Sequence, residues 1–267
     1  MNEVPIQEVR DFWDRRPCNL RHSAKPVGTQ GYFDEVEARK YFVEPHIPRF
    51  AQFMRWRGKR VLEIGCGIGT DTISFARHGA WVTAVELSER SLEIARRRAE
   101  VYGLQDYIRF YLGNAEELTQ FGPVEEYDLI YSFGVLHHTP RPREAMRQML
   151  RYCHANTILK AMLYHRCSWK ALAITRGRLW RGDLIARHSE AQTGCPVTHT
   201  FTRRGARELL EGFEVIDMWV DHIFRYRVKD YIEYRYVKPW HLRLMPRWVE
   251  RVLGWHLCIT ARKGSSE

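Results

Sequence analysis

A short apolar run that breaks into three glycines at alternate positions constrains this chain more than any other feature. The run is Val61-Leu62-Glu63-Ile64, and the glycines are Gly65, Gly67 and Gly69. Such a run is typical of a buried parallel strand, and glycines directly after it allow a tight turn at the strand's carboxyl end. The following residues predict a helix from about Asp71 to His78, whose first N–H groups would point back at the turn. The pattern therefore predicts a cradle for a nucleotide-like ligand.

The glycine spacing distinguishes two kinds of nucleotide site. A dinucleotide fingerprint of the form Gly-x-Gly-x-x-Gly would require a glycine where the chain has Thr70. A second β-rich run, Trp81 to Val85, ends in Glu86. A carboxylate at that strand end can accept hydrogen bonds from both ribose hydroxyls of an adenosine. A tight structural turn with a solvated Glu86 is the alternative interpretation.

The Glu63-x-Gly65-x-Gly67-x-Gly69 pattern resembles the first motif of class I S-adenosylmethionine-dependent methyltransferases. The resemblance covers residues 58–165 with specific motifs and residues 213–262 more loosely. It implies a methyltransferase enzyme with S-adenosyl-L-methionine as its cofactor. The cofactor-binding residues that it implies lie at or near the ends of four strands: Glu63, Gly65, Cys66, Gly67, Gly69, Glu86, Leu87, Asn114, Ala115, Glu116, Ser132 and Phe133.

Some of these contacts have a structural alternative. The family usually has an aspartate where this chain has Asn114, and that residue usually binds the adenine amino group. Asparagine can still accept a hydrogen bond from an amine through its carbonyl oxygen, and an ordinary turn residue is the alternative. In the amino-terminal segment, Tyr32, Arg39 and Tyr41 are candidate cofactor contacts, with packing against the sheet as the alternative.

Strand-like and helix-like segments alternate along the chain, which predicts a doubly wound α/β sheet. Beyond the two strands above, the predicted strands are Ile108–Leu112, Tyr127–Phe133, Thr157–Leu163, Phe213–Val220 and Gly254–Ala261. The resemblance implies a Rossmann-like sheet of seven strands, mostly parallel with an antiparallel last strand, and helices on both faces. The right-handed crossover rule would bring four loops to one rim: residues 65–70, 86–88, 113–116 and 132–139.

A length of 267 residues suits a single domain with insertions. The predicted segments are an amino-terminal helical cover (1–57), a cofactor-binding core (58–165), a lid insertion (166–200) and the remaining part of the sheet (201–267), which has its own insertion (223–252). Apolar residues at helical spacing from Trp169 to Leu179 predict an amphipathic helix in the lid, with Gly177 as its weak point.

The Leu136-His137-His138 sequence after the fourth predicted strand resembles the motif beside the transferred methyl group in small-molecule methyltransferases. Methyl transfer from a sulfonium mainly requires alignment, and a base helps when the acceptor is a hydroxyl or a protonated amine. His138 is the first candidate for that base and His137 the second, with a structural role at the turn as the alternative. A metal site is disfavoured, because paired carboxylates do not accompany the histidines. Further catalytic candidates are Tyr164, His188, Glu190 and His222.

The composition limits the kinds of partner that this chain is expected to have. The net charge of +10 comes from 42 basic and 32 acidic residues, and the arginines are scattered along the whole chain. Scatter argues against a nucleic-acid-binding arm, so a nucleic-acid partner is disfavoured. Six cysteines without metal-ligand spacing indicate reduced thiols in a cytoplasmic protein, and the chain has neither a secretory signal nor an apolar run that could span a bilayer. The aromatic and basic residues of 223–252 would also suit peripheral membrane contact.

The favoured function is methyl transfer to a small-molecule acceptor, with oxygen, nitrogen and carbon left open as the acceptor atom. A methyltransferase with a lipid-like substrate at the membrane surface is one alternative. A non-catalytic protein that holds S-adenosylmethionine or S-adenosylhomocysteine is another, and an NAD(P)-linked oxidoreductase is the third. The sequence leaves the acceptor and the oligomeric state open.

Overall fold

The computed structural model describes residues 4–121, 125–190, 194–223, 227–230, 235–237, 239–240 and 244–264. The helices in these ranges are α1 (Ile6–Arg15), α2 (Gln30–Val43), α3 (Ile47–Ala51), α4 (Thr70–Arg77), α5 (Glu89–Val101), α6 (Pro142–Leu150), α7 (Trp169–Thr175), α8 (Gly182–His188), α9 (Arg203–Leu209) and α10 (Arg247–Leu253). The strands are β1 (Arg60–Ile64), β2 (Trp81–Glu86), β3 (Ile108–Leu112), β4 (Tyr127–Phe133), β5 (Cys153–Tyr164), β6 (Phe213–Asp221), β7 (Arg227–Asp230), β8 (Arg235–Val237) and β9 (His256–Lys263).

Seven of the strands form one sheet in the order β3-β2-β1-β4-β5-β9-β6. Neighbours among β3, β2, β1, β4 and β5 are parallel, whereas β9 runs antiparallel to both β5 and β6. This arrangement confirms the predicted Rossmann-like sheet with an antiparallel last strand. Because the first four strands point the same way, their carboxyl ends meet at one edge.

Strand β1 lies at the centre of the sheet because both of its faces are buried. Val61 belongs to the apolar cluster that contains Ile73 of α4, whereas Leu62 and Ile64 belong to the opposite cluster, which contains Met146 of α6. Alternate side chains of a strand point to opposite faces, so two apolar layers require a nearly continuous apolar run. Helices therefore cover both faces of the sheet, as predicted.

The amphipathic helix predicted from Trp169 to Leu179 is interrupted. Helix α7 ends at Thr175, because Arg176 and Gly177 both adopt the left-handed conformation, with φ of 51° and 81°. A left-handed residue satisfies the last carbonyls of a helix and ends it. Helix α8 then begins at Gly182, so the segment predicted as a lid contains two short helices.

The insertion at 223–252 is described in part. It contains a two-stranded antiparallel ribbon, β7 with β8, and helix α10. Phe224 and Leu242, which the sequence analysis included in this insertion, lie outside the described residues. None of the helices in the described ranges combines the length and the apolar character needed to cross a bilayer.

Candidate active site

A cavity of about 600 Å³ lies at the carboxyl ends of β1, β2, β3 and β4. One end is lined by the glycine turn after β1 and by Glu86 of β2. The other end is lined by Tyr164 of β5 and His256 of β9. Helices α1 and α2 contribute Trp13 and Lys40 to the wall. The cavity therefore joins the predicted cofactor site to the antiparallel part of the sheet.

The glycines of the turn are required for different reasons. A Cβ at Gly65 would collide with Val135, so this glycine lets the turns after β1 and β4 pack together. A Cβ at Gly67, where φ is +54°, would meet no described atom within 4 Å, and Gly67 lines the cavity. Gly67 therefore leaves room for a ligand to approach the backbone. Gly69 directly precedes α4 and packs against Ala95. It is not part of the cavity wall that the described residues form.

Glu86 ends β2, and its carboxylate lies beside the glycine turn. One carboxylate oxygen accepts a hydrogen bond from the N–H of Gly67 at 2.8 Å, and the other accepts one from the N–H of Ser88 at 2.9 Å. Burial raises the pKa of Glu86, although these backbone donors act in the opposite direction. The carboxylate is held in place with lone pairs left for two ribose hydroxyls. The turn and this carboxylate together fit the adenosine part of S-adenosylmethionine.

Other predicted cofactor contacts share this wall. The side-chain oxygen of Asn114 accepts a hydrogen bond from the N–H of Glu116 at 3.0 Å, so Asn114 also closes a local turn. Its contact with adenine stays a prediction. Besides Gly65, Gly67 and Glu86, the predicted residues that line the cavity are Cys66, Leu87, Asn114, Ala115 and Phe133.

Three further predicted residues lie beneath the rim, outside the cavity wall that the described residues form. Glu63 accepts a hydrogen bond from the hydroxyl of Thr72, and burial together with the charge of Asp71 raises the pKa of Glu63 to about 8. Glu116 is buried in an ion pair with Arg141 at 2.7 Å. These two carboxylates fix the loops of the rim. The third residue, Ser132, is fully buried within β4.

The amino-terminal cover supplies one of its three candidate contacts to the cavity. Arg39 lines the wall. The hydroxyl of Tyr32 donates to the carbonyl of Leu20 at 2.7 Å, and the hydroxyl of Tyr41 donates to Asp71 at 3.1 Å. In the described residues, both tyrosines therefore serve the packing that the sequence analysis gave as the alternative.

His138 lies in the short turn after β4 and lines the cavity. Its Nδ1 lies 2.8 Å from the carbonyl of Val197, and its Nε2 lies 3.5 Å from a carboxylate oxygen of Glu190. Burial alone would lower the pKa of His138, but hydrogen bonding to Cys195 and Glu190 and the Glu190 charge raise it to about 10. The imidazole therefore carries a proton near neutral pH. It faces the cavity as a hydrogen-bond donor paired with a carboxylate.

The other catalytic candidates separate into two groups. His137 is fully buried with its ring stacked on Tyr164 at 3.5 Å, and it lies outside the described cavity wall. His188 is exposed on α8 and also lies outside that wall. Tyr164, Glu190 and His222 do line the cavity, and the hydroxyl of Tyr164 donates to Glu190 at 2.8 Å. The Glu190 side chain is thus shared between a tyrosine and a histidine.

The sequence analysis missed several residues that complete this end of the cavity. Burial raises the pKa of Glu44 to about 7, and the ammonium of Lys170 donates to the carbonyl of Ser189 at 2.6 Å. These residues come from separate segments, and none stands in a recognisable motif. The polar and aromatic residues missed at this end include Cys18, Lys40, Glu44, Lys170, Trp255 and His256.

Residues 61–156 match a family model described as a methyltransferase domain. This segment carries the glycine turn, Glu86 and His138, so it contains the cofactor end of the cavity. Residues 61–156 therefore form a methyltransferase domain.

Curated proteins that are similar to this methyltransferase domain are themselves named as methyltransferases. The chain is 34% identical to a ubiquinone biosynthesis O-methyltransferase of Coxiella burnetii over 99 residues, which cover 37% of this chain and 39% of the relative. It is 35% identical to the methyltransferase GfsG of Streptomyces halstedii over 153 residues, which cover 54% of this chain and 53% of the relative. The chain thus spans about two fifths to one half of the length of these curated relatives.

Solved structures share the fold of the methyltransferase domain over nearly the whole chain. Magnesium protoporphyrin IX methyltransferase from Synechocystis PCC 6803, solved with bound S-adenosylhomocysteine, has a TM-score of 0.60 and 15% identity, with 97% of this chain and 100% of that chain covered. The [4+2]-cyclase SpnF has a TM-score of 0.62 and 19% identity, with 97% of this chain and 96% of that chain covered. The family, the fold and the S-adenosylmethionine cofactor predicted from the sequence are confirmed.

Proposed function

We propose that this chain transfers the methyl group of S-adenosylmethionine to a small molecule held at the far end of the same cavity. The observation that carries the proposal is the continuity of the cavity, which runs from Gly67 and Glu86 to His138, Glu190 and Tyr164. Methyl transfer needs the sulfonium and the acceptor in line at close range, with water excluded. A single cavity with an adenosine cradle at one end and buried polar groups at the other meets that need.

The His138–Glu190 pair is the proposed acceptor-binding group. The charge of His138 and the hydroxyl of Tyr164 hold Glu190 beside the cavity, where its carboxylate can accept a hydrogen bond from a hydroxyl or an amine. When such an acceptor attacks the methyl carbon, the carbon–sulfur bond breaks and the acceptor's proton passes to the pair. The raised pKa of His138 keeps its imidazole protonated, so the proton passes to the carboxylate of Glu190, and His138 acts by holding and stabilising that carboxylate.

The His138→Ala variant tests this assignment. We expect turnover to fall by about two orders of magnitude, a typical contribution of an acid–base group, while the affinity for S-adenosylhomocysteine changes by less than about threefold. Turnover is followed as transfer of a labelled methyl group from S-adenosylmethionine into a metabolite extract, and affinity by calorimetry. Full turnover in His138→Ala would remove the pair from the mechanism.

The same two measurements test the function itself. Binding of S-adenosylhomocysteine together with methyl incorporation into an extract fraction supports the proposal. Binding without incorporation into any fraction would favour a non-catalytic binding protein. Tight binding of NADH without binding of S-adenosylhomocysteine would favour an oxidoreductase.

A lipid-like acceptor at a membrane surface is a second candidate, favoured by exposed apolar residues in and beside α10. Leu244, shortly before α10, and Trp248, within it, are 72% and 64% exposed. Arg247 and Arg251 belong to the same helix. Aromatic residues mixed with basic ones suit the interface of an anionic bilayer. The curated relatives named for ubiquinone biosynthesis point to the same class of acceptor. Sedimentation with anionic vesicles, compared with neutral vesicles, tests this candidate.

A further inference from the structure

Three buried histidines from distant parts of the sequence meet at the acceptor end of the cavity. His46 immediately precedes α3, His222 follows β6, and His256 begins β9. They are 4%, 5% and 3% exposed. His222 and His256 line the cavity, and the ring of His46 packs against both, with centroid distances of 5.5 and 5.1 Å. Burial of three imidazoles is costly unless their nitrogens are satisfied, so the grouping requires an explanation.

The ring nitrogens form a compact triangle. Nε2 of His46 lies 3.0 Å from Nδ1 of His256, and one nitrogen from each of the three rings lies within 4.8 Å of the other two. In a tetrahedral zinc site with Zn–N bonds of about 2.0–2.1 Å, neighbouring nitrogens are about 3.4 Å apart. Small side-chain rotations would therefore bring all three nitrogens to coordination distance. Nδ1 of His46 has no hydrogen-bond partner among the described residues.

The backbone at His222 is strained in a way that places its ring in the cluster. Its φ is +73°, in the left-handed region, which is unfavourable for a residue with a Cβ. The carbonyl of His222 accepts a hydrogen bond from the N–H of Trp255 at 3.0 Å, and its ring stacks on His256 at 4.3 Å. Strain of this kind persists only where the surroundings fix it, and it is concentrated at functional sites.

A carboxylate lies next to the triangle. Oε1 of Glu44 is 3.8 Å from Nδ1 of His256, and Glu44 lines the cavity. A carboxylate can serve as a fourth ligand or accept a hydrogen bond from a molecule on the metal. The cavity side of the triangle remains open to an acceptor.

We infer that His46, His222 and His256 form a binding site for a divalent transition metal ion, for which zinc suits the nitrogen-rich ligand set best. The inference rests on the proposed function, because an ion at this end of the cavity would bind an oxygen of the methyl acceptor. Coordination would lower the pKa of a bound hydroxyl, whose proton would pass to the His138–Glu190 pair, as in the proposed function. A lone pair of the oxygen then forms the new C–O bond as the C–S bond breaks, and neutral S-adenosylhomocysteine is released. The favoured acceptor is therefore a hydroxyl compound.

Metal titration of the purified, chelator-treated chain tests this inference. We expect one Co²⁺ ion per chain, with the visible absorption band of tetrahedral Co²⁺, and displacement of that ion by Zn²⁺. The variants His222→Ala and His256→Ala should each weaken Co²⁺ binding more than about tenfold. The matched control is His154→Ala, because His154 lies elsewhere on β5 and its Nδ1 accepts from the N–H of Asn156 at 3.1 Å. A wild-type chain without the band, or a band unchanged in both cluster variants, would overturn the inference.

A second measurement uses the wild-type chain alone, so its result does not depend on whether the variants fold. Crystals of the wild-type chain soaked with Zn²⁺ should show an anomalous peak at the zinc absorption edge among the three imidazoles. A peak at other sites only, or none, would contradict the proposal.

Calorimetry with S-adenosylhomocysteine on the metal-free chain separates this inference from the proposed function. If S-adenosylhomocysteine binds and the metal does not, only the inference fails. If S-adenosylhomocysteine does not bind, the proposed function fails whatever the metal result.

Discussion

At the scale of single residues, Gly67 is the position where a minimal change tests the cofactor cradle. A Cβ there would meet no described atom within 4 Å and would point into the cavity, so the folded chain has room for it. We expect Gly67→Ala to weaken S-adenosylhomocysteine binding at least about tenfold, because the methyl group occupies space that the ligand needs. Calorimetry measures the affinity, and a thermal melt confirms that the fold is retained.

Gly103→Ala is the matched control for this variant. Gly103 also has a positive φ, +64°, and open space around the Cβ position, but it follows α5 outside the described cavity wall. Both variants introduce the same backbone strain of about 1–2 kcal/mol, so a difference in affinity reports the ligand alone. Equal affinities in the two variants would count against the cradle.

Glu86 allows a second test of the same adenosine cradle. Glu86→Gln replaces one carboxylate oxygen by an N–H₂ group, which cannot accept from a ribose hydroxyl or from the N–H of Gly67. We expect a loss of affinity for S-adenosylhomocysteine of about ten- to a hundredfold, since hydrogen bonds to charged groups contribute about 1.5–3 kcal/mol each. Glu100→Gln, on the exposed surface of α5, serves as the control in the same calorimetric series. An affinity equal to that of the wild type would show that Glu86 only shapes the turn.

The sequence predicted that Gly67 and Glu86 lie at the cavity, but it did not predict the direction of the Glu63 and Glu116 side chains. The reason is physical. Gly67 and Glu86 stand in a local pattern whose spacing alone places them at a strand end. Glu63 and Glu116 belong to the same motifs, but their side chains turn inward to Thr72 and Arg141. The direction of a side chain depends on neighbours that no local pattern contains.

The histidines show the same limit more strongly. His46, His222 and His256 share no motif. The sequence argument against a metal site considered only the residues that accompany each histidine in the sequence. Their proximity depends on the position of β9 between β5 and β6 and on the turn before α3.

At the scale of elements, the ion pair between Glu190 and His138 joins the lid to the turn after β4. Burial opposes both shifts, but the pairing lowers the pKa of Glu190 to about 2, and hydrogen bonding to Cys195 together with the pairing raises the pKa of His138 to about 10. The stabilisation from Glu190 is present above its unfolded value of 4.5 and is lost as the pH falls toward 2. The stabilisation from His138 is present below its unfolded value of 6.5 and is lost as the pH rises toward 10.

The Glu190→Gln variant should therefore lower the free energy of unfolding most between about pH 4.5 and pH 6.5. The expected loss there is on the order of 3 kcal/mol, the usual cost of breaking a buried pair, and it shrinks toward both acid and alkaline pH. Denaturant unfolding at a series of pH values measures it. Glu100→Gln breaks an exposed pair with Arg97 and should cost less than about 1 kcal/mol at every pH. A loss from Glu190→Gln that does not vary with pH would contradict the pairing.

Element boundaries show what the sequence pattern determines. The central strands β1 and β4 were predicted to within about a residue because both faces of each are largely buried, which leaves a strong apolar signal. The helix of the lid was predicted as one unit, but the left-handed pair Arg176 and Gly177 divides it into α7 and α8. An arginine carries no sequence signal for that conformation, and only the glycine hinted at a break.

At the scale of the whole molecule, different strands of the sheet line the two ends of the cavity that the proposal assigns to cofactor and acceptor. The parallel strands from β3 to β4 present the cofactor end of the cavity, and β5, β9 and β6 present the acceptor end. Apolar periodicity predicts that these strands exist but not which of them are neighbours. The position of β9 came from the family resemblance alone, and with it the whole antiparallel half of the site.

Helix α1 closes this cavity from outside the sheet, and its removal is the test at this scale. Val9 and Trp13 line the cavity, and the carboxylate of Asp14 accepts a hydrogen bond from the hydroxyl of Ser88 at 2.6 Å. Ser88 also donates its backbone N–H to Glu86, so α1 is joined to the ribose-binding carboxylate through one residue. Deletion of residues 1–16 should leave the sheet folded, because α1 contributes no residue to the described apolar clusters that hold the sheet and its helices together.

We expect this deletion to weaken S-adenosylhomocysteine binding at least about tenfold, since the open cavity no longer excludes water from the adenosine. Ligand at a hundred times its Kd raises the free energy of unfolding of the intact chain by about 2.7 kcal/mol, so the ligand-dependent rise in Tm should shrink in the deletion variant. Asp11→Asn, which changes an exposed residue of α1 without removing the helix, is the control and should retain the full rise. If the truncated chain binds S-adenosylhomocysteine as tightly as the intact one, α1 does not close the cavity, and the acceptor must be shielded from water by the lid helices α7 and α8 instead.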